Sequence, residues 1–345
     1  MKLEKKPIKI FVTGGSGFIG SNFIIQQLLK TENQILNLDK LTYASSIKSL
    51  RSIENNTRYQ FIHGDICDNS LIKEILYDFQ PTYIVNFAAE SHVDNSIKAP
   101  DQFIATNIFG VFNMLKHSKK YFTSLNKREK EKFRFLHIST DEVYGSLQLE
   151  EQSFTEKSPY CPSSPYSASK ASSDHLVLSW FKTYNFPAIV TNCSNNYGPF
   201  QFPEKLIPLI IINCLNEEKI PIYGDGMNIR DWIYVEDHCT AIHEILIKGK
   251  IGRQYNVGSN NELKNIDIIK TICKIMDDKV KRKNNLNYFD LIEYVEDRPG
   301  HDFRYSIDNA KIKEHTGWNP SISFEDGILH TIDWYLNNKD WFTNN

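Results

Sequence analysis

No stretch of this 345-residue chain is apolar enough to cross a bilayer. Its most apolar run, Leu206–Leu215, is about half the ~20 residues that a spanning helix needs. Met1–Pro7 is charged and leads directly into an apolar strand, so it lacks the apolar stretch and small-residue cleavage site of a signal peptide. Cysteine is sparse and scattered. The six residues, Cys67, Cys161, Cys193, Cys214, Cys239 and Cys273, form no Cys-x-x-Cys pair, which argues against a zinc site or a disulfide framework. No metal centre is expected. An excess of charge of one sign is missing too: 40 Lys plus Arg against 42 Asp plus Glu leaves a net charge of −2. That balance provides no field for wrapping nucleic acid or coating an anionic membrane, so a phosphate-bearing ligand has to be held by a local site. The expectation is a soluble, cytoplasmic protein that binds neither nucleic acid nor membrane.

What is present is core material, 41% hydrophobic and 12% aromatic, enough for one large domain and a smaller one. The runs 8–13, 34–39, 59–64, 82–87 and 133–139 are short and rich in Ile, Val and Phe, as buried strands are. Amphipathic stretches such as 21–30 and 70–79 lie between them. Such alternation predicts an α/β fold, a doubly wound parallel sheet of the Rossmann type. Residues 187–192 and 254–258 add later strands. After Gly198 the pattern breaks up at Pro199, Pro203, Pro208 and Pro221. The expected division is therefore a dinucleotide-binding domain over 1–198 with a returning segment at about 228–258, and a smaller C-terminal lobe from 199–227 and 259–345. The charge run 127–134 reads as a solvated helix end or loop.

The first strand is followed by Gly14-Gly15-Ser16-Gly17-Phe18-Ile19-Gly20 and then a helix-like run. Glycines there allow a tight strand-to-helix turn whose backbone approaches a pyrophosphate, with the helix N-terminus supplying unpaired N–H groups. An ordinary glycine turn is the bland alternative, and the strand before and helix after weigh against it. Asp39, 19 residues beyond Gly20 at the end of the next strand, suits the hydroxyls of an adenosine ribose and would repel a 2′-phosphate. NAD is thereby favoured over NADP, although Lys40 stands beside that acid. Asp65, with Ile66 after it, ends the third strand and is placed to meet the adenine.

Pro165-Tyr166-Ser167-Ala168-Ser169-Lys170 sets Tyr166 and Lys170 four apart, on one face of a helix that Ser163 or Ser164 would cap and Pro165 would open. Tyrosine, with a reference pKa of about 10, is a poor base until a nearby cation stabilises its phenolate. A surface pair is the default for Tyr-x-x-x-Lys; downstream of a dinucleotide turn it reads as proton-transfer machinery.

These motifs resemble the extended short-chain dehydrogenase/reductase superfamily. Within it, Ser139-Thr140-Asp141-Glu142-Val143-Tyr144-Gly145 looks like the signature of the nucleoside-diphospho-glucose 4,6-dehydratases, where epimerase relatives carry no Asp-Glu pair. The stretches 88–94 (AAESHVD), 192–199 (NCSNNYGP), 201–208 (QFPEKLIP), 223–226 (YGDG), 230–232 (RDW) and 297–302 (DRPGHD) extend the likeness over nearly the whole chain. The resemblance implies conversion of a nucleoside-diphospho-glucose to its 4-keto-6-deoxy product with NAD. Glu142 would remove the C5 proton, Asp141 would protonate the departing C6 hydroxyl, and Thr140 would hold the C4 oxygen beside Tyr166. For that, Asp141 must keep its own proton, through burial or its neighbour's charge. Arg230 and Arg298 suit a pyrophosphate clamp, since guanidinium groups bind bidentately. Resemblance adds Ala88 and Ala89 to the cofactor side, and Ser91, His92, Asn195, Asn196, Glu204, Lys205 and His301 to the substrate side. It also implies a homodimer built on a four-helix interface, with segments 101–121 and 167–184 as candidates.

Two positions depart from the pattern. Asn95 follows His92-Val93-Asp94 where bacterial dTDP-glucose enzymes usually carry arginine, and it resembles plant-type UDP-glucose enzymes instead. Ser45 stands where glycine is common. Thymine against uracil therefore stays open. The alternatives are an NAD-dependent nucleotide-sugar 4-epimerase and, from another class, a non-catalytic NAD-binding sensor.

Overall fold

The computed structural model describes residues 7–282, 286–297 and 302–343. Its strands are β1 (Lys9–Thr13), β2 (Gln34–Asp39), β3 (Tyr59–His63), β4 (Tyr83–Asn86), β5 (Arg134–Thr140), β6 (Ala188–Cys193), β7 (Asn195–Tyr197), β8 (Ile220–Tyr223), β9 (Ile229–Tyr234), β10 (Gln254–Val257), β11 (Glu262–Lys264), β12 (Ile292–Val295) and β13 (Arg304–Tyr305). Seven of them form one parallel sheet in the order β10-β6-β5-β4-β1-β2-β3. The expected Rossmann-type sheet is thus present, with strand ends within two residues of those read from the sequence.

Both faces of this sheet are covered, which is why its central strands are mostly apolar runs and not strict apolar–polar alternations. Side chains on successive strand residues still point to opposite faces. Ile10 and Val12 pack with Phe23, Ile24, Ile242 and Ile245, from the helices Phe18–Lys30 and Val235–Lys248. Phe11, Ile84 and Phe135 face the other way, onto Ile72, Val111, Met114 and Val177 of the helices Asn69–Phe79, Val111–Ser124 and Pro165–Tyr184. The strand order reverses between β1 and β4, so a crevice opens at their carboxyl ends.

The lobe has its own core. The helices Leu206–Asn216, Asn265–Lys279 and Phe324–Asn337 bury Ile207, Ile211, Ile269, Ile272, Ile328 and Ile332 together. The apolar run 206–215 is therefore a buried helix of the lobe, and no helix among the described residues is long and apolar enough to cross a membrane. Within 228–258, β9 joins a small sheet with β7, β11 and β13, whereas the helix Val235–Lys248 and β10 rejoin the large sheet. The chain crosses between the two bodies more than once, which brings β7 and the segment after it to the mouth of the crevice. Residues 127–132 form a short exposed helix with an Asn126–Glu129 capping box.

Candidate active site

One cleft runs along the carboxyl ends of the sheet. Its first end is the glycine turn between β1 and the helix Phe18–Lys30. Gly14 has a φ of +71°, and a Cβ there would stand 2.6 Å from the Ala88 nitrogen. At Gly20 a Cβ would meet the Gly14 carbonyl at 2.4 Å, so these two glycines let backbone lie on backbone. Gly17 differs. An added Cβ would touch only the Gly14 carbonyl, at 3.4 Å, and the residue caps the helix without any side-chain bond. The first N–H groups of the helix thus remain for an anion. Asn37 braces the turn from β2, its Oδ1 accepting from Gly15 N at 3.0 Å and its Nδ2 donating to Ser16 Oγ at 3.2 Å.

Asp39 follows on the same strand. Its Oδ2 accepts from Ser16 N at 2.8 Å and its Oδ1 from Leu41 N at 2.8 Å. Burial raises its pKa, and these two hydrogen bonds oppose the rise. Lys40 turns away to Asp65 at 2.8 Å, which raises the lysine's pKa; burial alone would raise Asp65, yet Lys40 and the Cys67 N–H bring it below the usual range. The cation beside Asp39 is thus directed at the third strand's acid. Ile66, Ala88 and Ala89 complete the wall. A surface on which glycine backbone, helix N–H groups and a carboxylate converge in this order fits a dinucleotide.

The second end holds the groups that the sequence marks as candidates for proton transfer. Ser164 caps the helix Pro165–Tyr184, its hydroxyl accepting from Ser167 N at 3.1 Å, while Ser163 binds Asp302 at 2.6 Å. Tyr166 and Lys170 share the helix face that lies on the sheet and are 8% and 3% exposed. Burial first, and the charge of Glu142 second, push the Tyr166 phenol well above its usual range; a hydrogen bond with the Thr140 side chain opposes them. Lys170 donates from Nζ to the Ile138 carbonyl at 2.8 Å.

Thr140 ends β5 and caps the short helical turn Asp141–Tyr144, its Oγ1 accepting from Glu142 N at 3.2 Å. That turn separates the two acids. Asp141 points inward at 3% exposure, and burial, Glu142 and Asp231 all push its pKa well above the carboxylate range. Its Oδ2 has no hydrogen-bond partner among the described residues. Burial and its neighbours' charge thus act in the direction that keeps a proton on Asp141.

At the mouth, Ser91, Asn195, Asn196 and Lys205 line the cleft together with Thr42, Ala44, Ser45, Gln201 and Phe202. His92 and Glu204 stand just behind it, 3.6 Å apart. Arg230 is 6% exposed and braces the chain: Nη1 donates to the carbonyls of Ile229 and Phe303, Nη2 to that of Asp302, and the guanidinium lies 4.3 Å over the Tyr305 ring. Arg298 and His301 lie outside the described residues.

Residues 11–331 match the family described as GDP-mannose 4,6 dehydratase. A dTDP-glucose 4,6-dehydratase of Escherichia coli is 54% identical, covering 97% of this chain and 95% of its own length. The chain belongs to the dTDP-glucose 4,6-dehydratase family. Among solved structures, the Bacillus anthracis dTDP-glucose 4,6-dehydratase in complex with NAD has a TM-score of 0.85 at 42% identity, covering 97% of this chain and 99% of that one. The Streptomyces venezuelae dTDP-glucose 4,6-dehydratase with NAD bound has a TM-score of 0.87 at 39% identity, with coverage of 97% and 99%.

For a member of the dTDP-glucose 4,6-dehydratase family, the site also contains groups that motif reading passed over. Asn107 sits in a π-helical segment, Ile104–Gly110, with its side chain bonded to both backbone groups of Glu90 and to Ser169 Oγ at 2.8 Å. Such an insertion marks functional positions and leaves no periodic trace in composition. Asn37 does leave a signal, as a polar residue inside an otherwise apolar strand.

Proposed function

We propose that the chain converts dTDP-glucose into dTDP-4-keto-6-deoxyglucose and water, with Thr140, Asp141, Glu142, Tyr166 and Lys170 as the catalytic group. The 4,6-dehydration belongs to the family and NAD is its cofactor. Held by Gly14, Gly17, Gly20 and Asp39, NAD supplies the acceptor for hydride from C4 and its donor to C6. Tyr166 takes the C4 hydroxyl proton while Thr140 steadies the oxygen, and Lys170 favours the phenolate. Oxidation at C4 makes the C5 proton acidic, because the carbanion delocalises into the ketone. Glu142 removes that proton. Asp141, which keeps its proton in the buried turn, gives it to the C6 hydroxyl, which leaves as water. Glu142 then returns its proton to C5 as hydride is delivered to C6, and the proton taken up by Tyr166 restores Asp141 through solvent.

The observation that carries this reading is a pair of adjacent acids in one turn, one of them buried with an oxygen that has no hydrogen-bond partner among the described residues; burial and its neighbours push that acid's pKa up, as a proton donor at C6 requires. It sets the epimerase aside, since a 4-epimerase has no need of an acid for a leaving hydroxyl. Incubation with dTDP-glucose and UDP-glucose side by side, read by mass spectrometry, tests it. Loss of one water supports dehydration, and the thymine compound should react faster; unchanged mass with inverted stereochemistry would restore the epimerase. Thymine and uracil differ by a methyl group, worth about 1–3 kcal/mol in a fitted pocket, so the preference should be measurable without being absolute. Glu142→Gln should retain oxidation at C4 and lose solvent exchange at C5, and normal exchange would remove Glu142 as the base.

The reading includes a homodimer. Ile97, Ile104, Phe109, Phe112 and Tyr184 are exposed on neighbouring helices, and the Phe112 and Trp180 rings, 5.9 Å apart, join the two segments into one apolar face. A monomer by light scattering at micromolar concentration would count against it. It also includes a cytoplasmic location, where the six unpaired thiols stay reduced.

A further inference from the structure

Asp174 lies one helical turn beyond Lys170, fully buried, and no step of the mechanism above uses it. Its Oδ2 accepts from the Tyr160 hydroxyl at 2.8 Å and from Asn192 Nδ2 at 3.0 Å. Its Oδ1 stands 3.6 Å from His137 Nε2, beyond hydrogen-bond distance, and has no hydrogen-bond partner among the described residues. That imidazole is oriented from the far side. Thr13 Oγ1 donates to Asn86 Oδ1 at 2.6 Å, so the Asn86 amide turns its N–H to His137 Nδ1 at 3.0 Å. The imidazole proton is thereby left on Nε2, toward Asp174 and Ser173. Burial and Lys170 hold His137 well below its usual range, so it is neutral and offers a hydrogen without a charge. Tyr160 and Asn192 are in turn fixed by Gln254 Nε2, at 2.6 Å to the Tyr160 hydroxyl and 3.0 Å to Asn192 Oδ1.

An isolated buried carboxylate is unfavourable, and the two neutral donors on Oδ2 relieve only part of that cost. Lys170, four residues earlier on the same helix and also buried, is the cation one turn away, close enough to act through charge without a direct ion pair. We infer that Asp174 is a positioning residue for the dehydratase reaction, its carboxylate keeping Lys170 an ammonium ion inside the sheet–helix interface. The inference rests on the role given to Lys170 above. Burial lowers the Lys170 pKa to about 8, and Asp174 is the first of the groups that oppose the fall. Burial raises Asp174 to about 6, with Lys170 the largest opposing influence. Other titratable groups around the pair are Tyr166 on the same helix, His137 on β5, Tyr144 in the turn after β5, Cys193 on β6 and Tyr160. The Cys193 thiol is pushed up to about 12 by burial and stays neutral where the pair is ionised.

The experiment is a kcat–pH profile with dTDP-glucose for the NAD-loaded wild type, Asp174→Asn, Lys170→Met and the double variant. Asparagine preserves the shape and an acceptor while removing the charge. The alkaline limb of Asp174→Asn should move down by about one pH unit, the scale expected for loss of an opposite buried charge one helical turn away, with KM little changed. In the Lys170→Met background Asp174→Asn should cost nothing further. A profile superimposable on wild type, or an equal loss in both backgrounds, overturns the inference and leaves Asp174 a structural acceptor. An unchanged kcat in Lys170→Met alone overturns the reading of Lys170 as well, so the two failures differ. Should Asp174→Asn not fold, Tyr160→Phe keeps the carboxylate but removes a donor, and the acid limb should then move upward; a stationary limb overturns the inference.

Discussion

At the glycine-turn end of the cleft, both Asp39 oxygens rest against backbone N–H groups, and Lys40 is paired with Asp65 near the surface. At the other end Asp141 has an oxygen with no hydrogen-bond partner among the described residues, and Lys170 donates to the backbone carbonyl of Ile138. Both ends contain acids and lysines of the same intrinsic chemistry. Asp39 is buried too, but donors on both of its oxygens oppose the rise in its pKa, whereas Asp141 has an oxygen without a donor and its pKa is pushed further. Recognition of a fixed cofactor calls for stable charge and fixed geometry. Proton transfer calls for groups that can change charge.

The strongest way to break this comparison is Asp141→Asn. It should lower kcat for water loss by about 10²- to 10⁴-fold, as removal of a general acid does, with NAD still bound. A rate within tenfold of wild type would mean that the desolvated end is not where the acid acts.

Glycine substitutions sharpen the other end. Gly14→Ala forces a Cβ onto Ala88 at a positive φ and should destabilise the fold by about 1–3 kcal/mol. Gly17→Ala has room, so its melting temperature should stay near wild type while NAD affinity drops, which calorimetry and thermal unfolding would separate. Equal effects of the two on stability would contradict the geometry.

Asp141 also predicts a pH signature in stability. Its folded pKa is raised, so the protonated form stabilises the native state fully below the unfolded value near 3.9, and that contribution is lost as pH rises toward the folded value. Asparagine does not titrate. The Tm of Asp141→Asn relative to wild type should therefore increase between about pH 4 and neutrality. A constant difference would show that the acid is not desolvated.

The smallest effect is expected at Lys40→Ala. Its partner is 2.8 Å away, but the two side chains are 57% and 29% exposed. Loss of the pair should change stability by less than about 1 kcal/mol. A larger change would mean that the glycine-turn end, too, depends on desolvation.

Much of the site was legible because its spacing is short. The glycine turn, the Asp141–Glu142 adjacency and the Tyr166–Lys170 interval each lie within one element, where helix and strand periodicities decide the face. The seven strands of the large sheet were legible for the same reason, as short apolar runs. The surroundings of Arg230 were not. Its residue type suggested a clamp on pyrophosphate, and nothing local indicated that from β9 it also donates to the carbonyls of residues 302 and 303, some 70 positions away. Nor did Asp174 attract notice, since one acid in a helix full of serines has no pattern around it.

The sequence by itself determined the elements, the cofactor turn and the order of catalytic side chains, because those follow from dihedral preference and periodicity over a few residues. Only the tertiary structure decided their charge states. The desolvation of Asp141, Tyr166, Lys170 and Asp174 is a sum over everything packed around them, including β6, β9, β10 and the segment through Tyr160. Those pieces are distant along the chain, and burial is a property of their assembly.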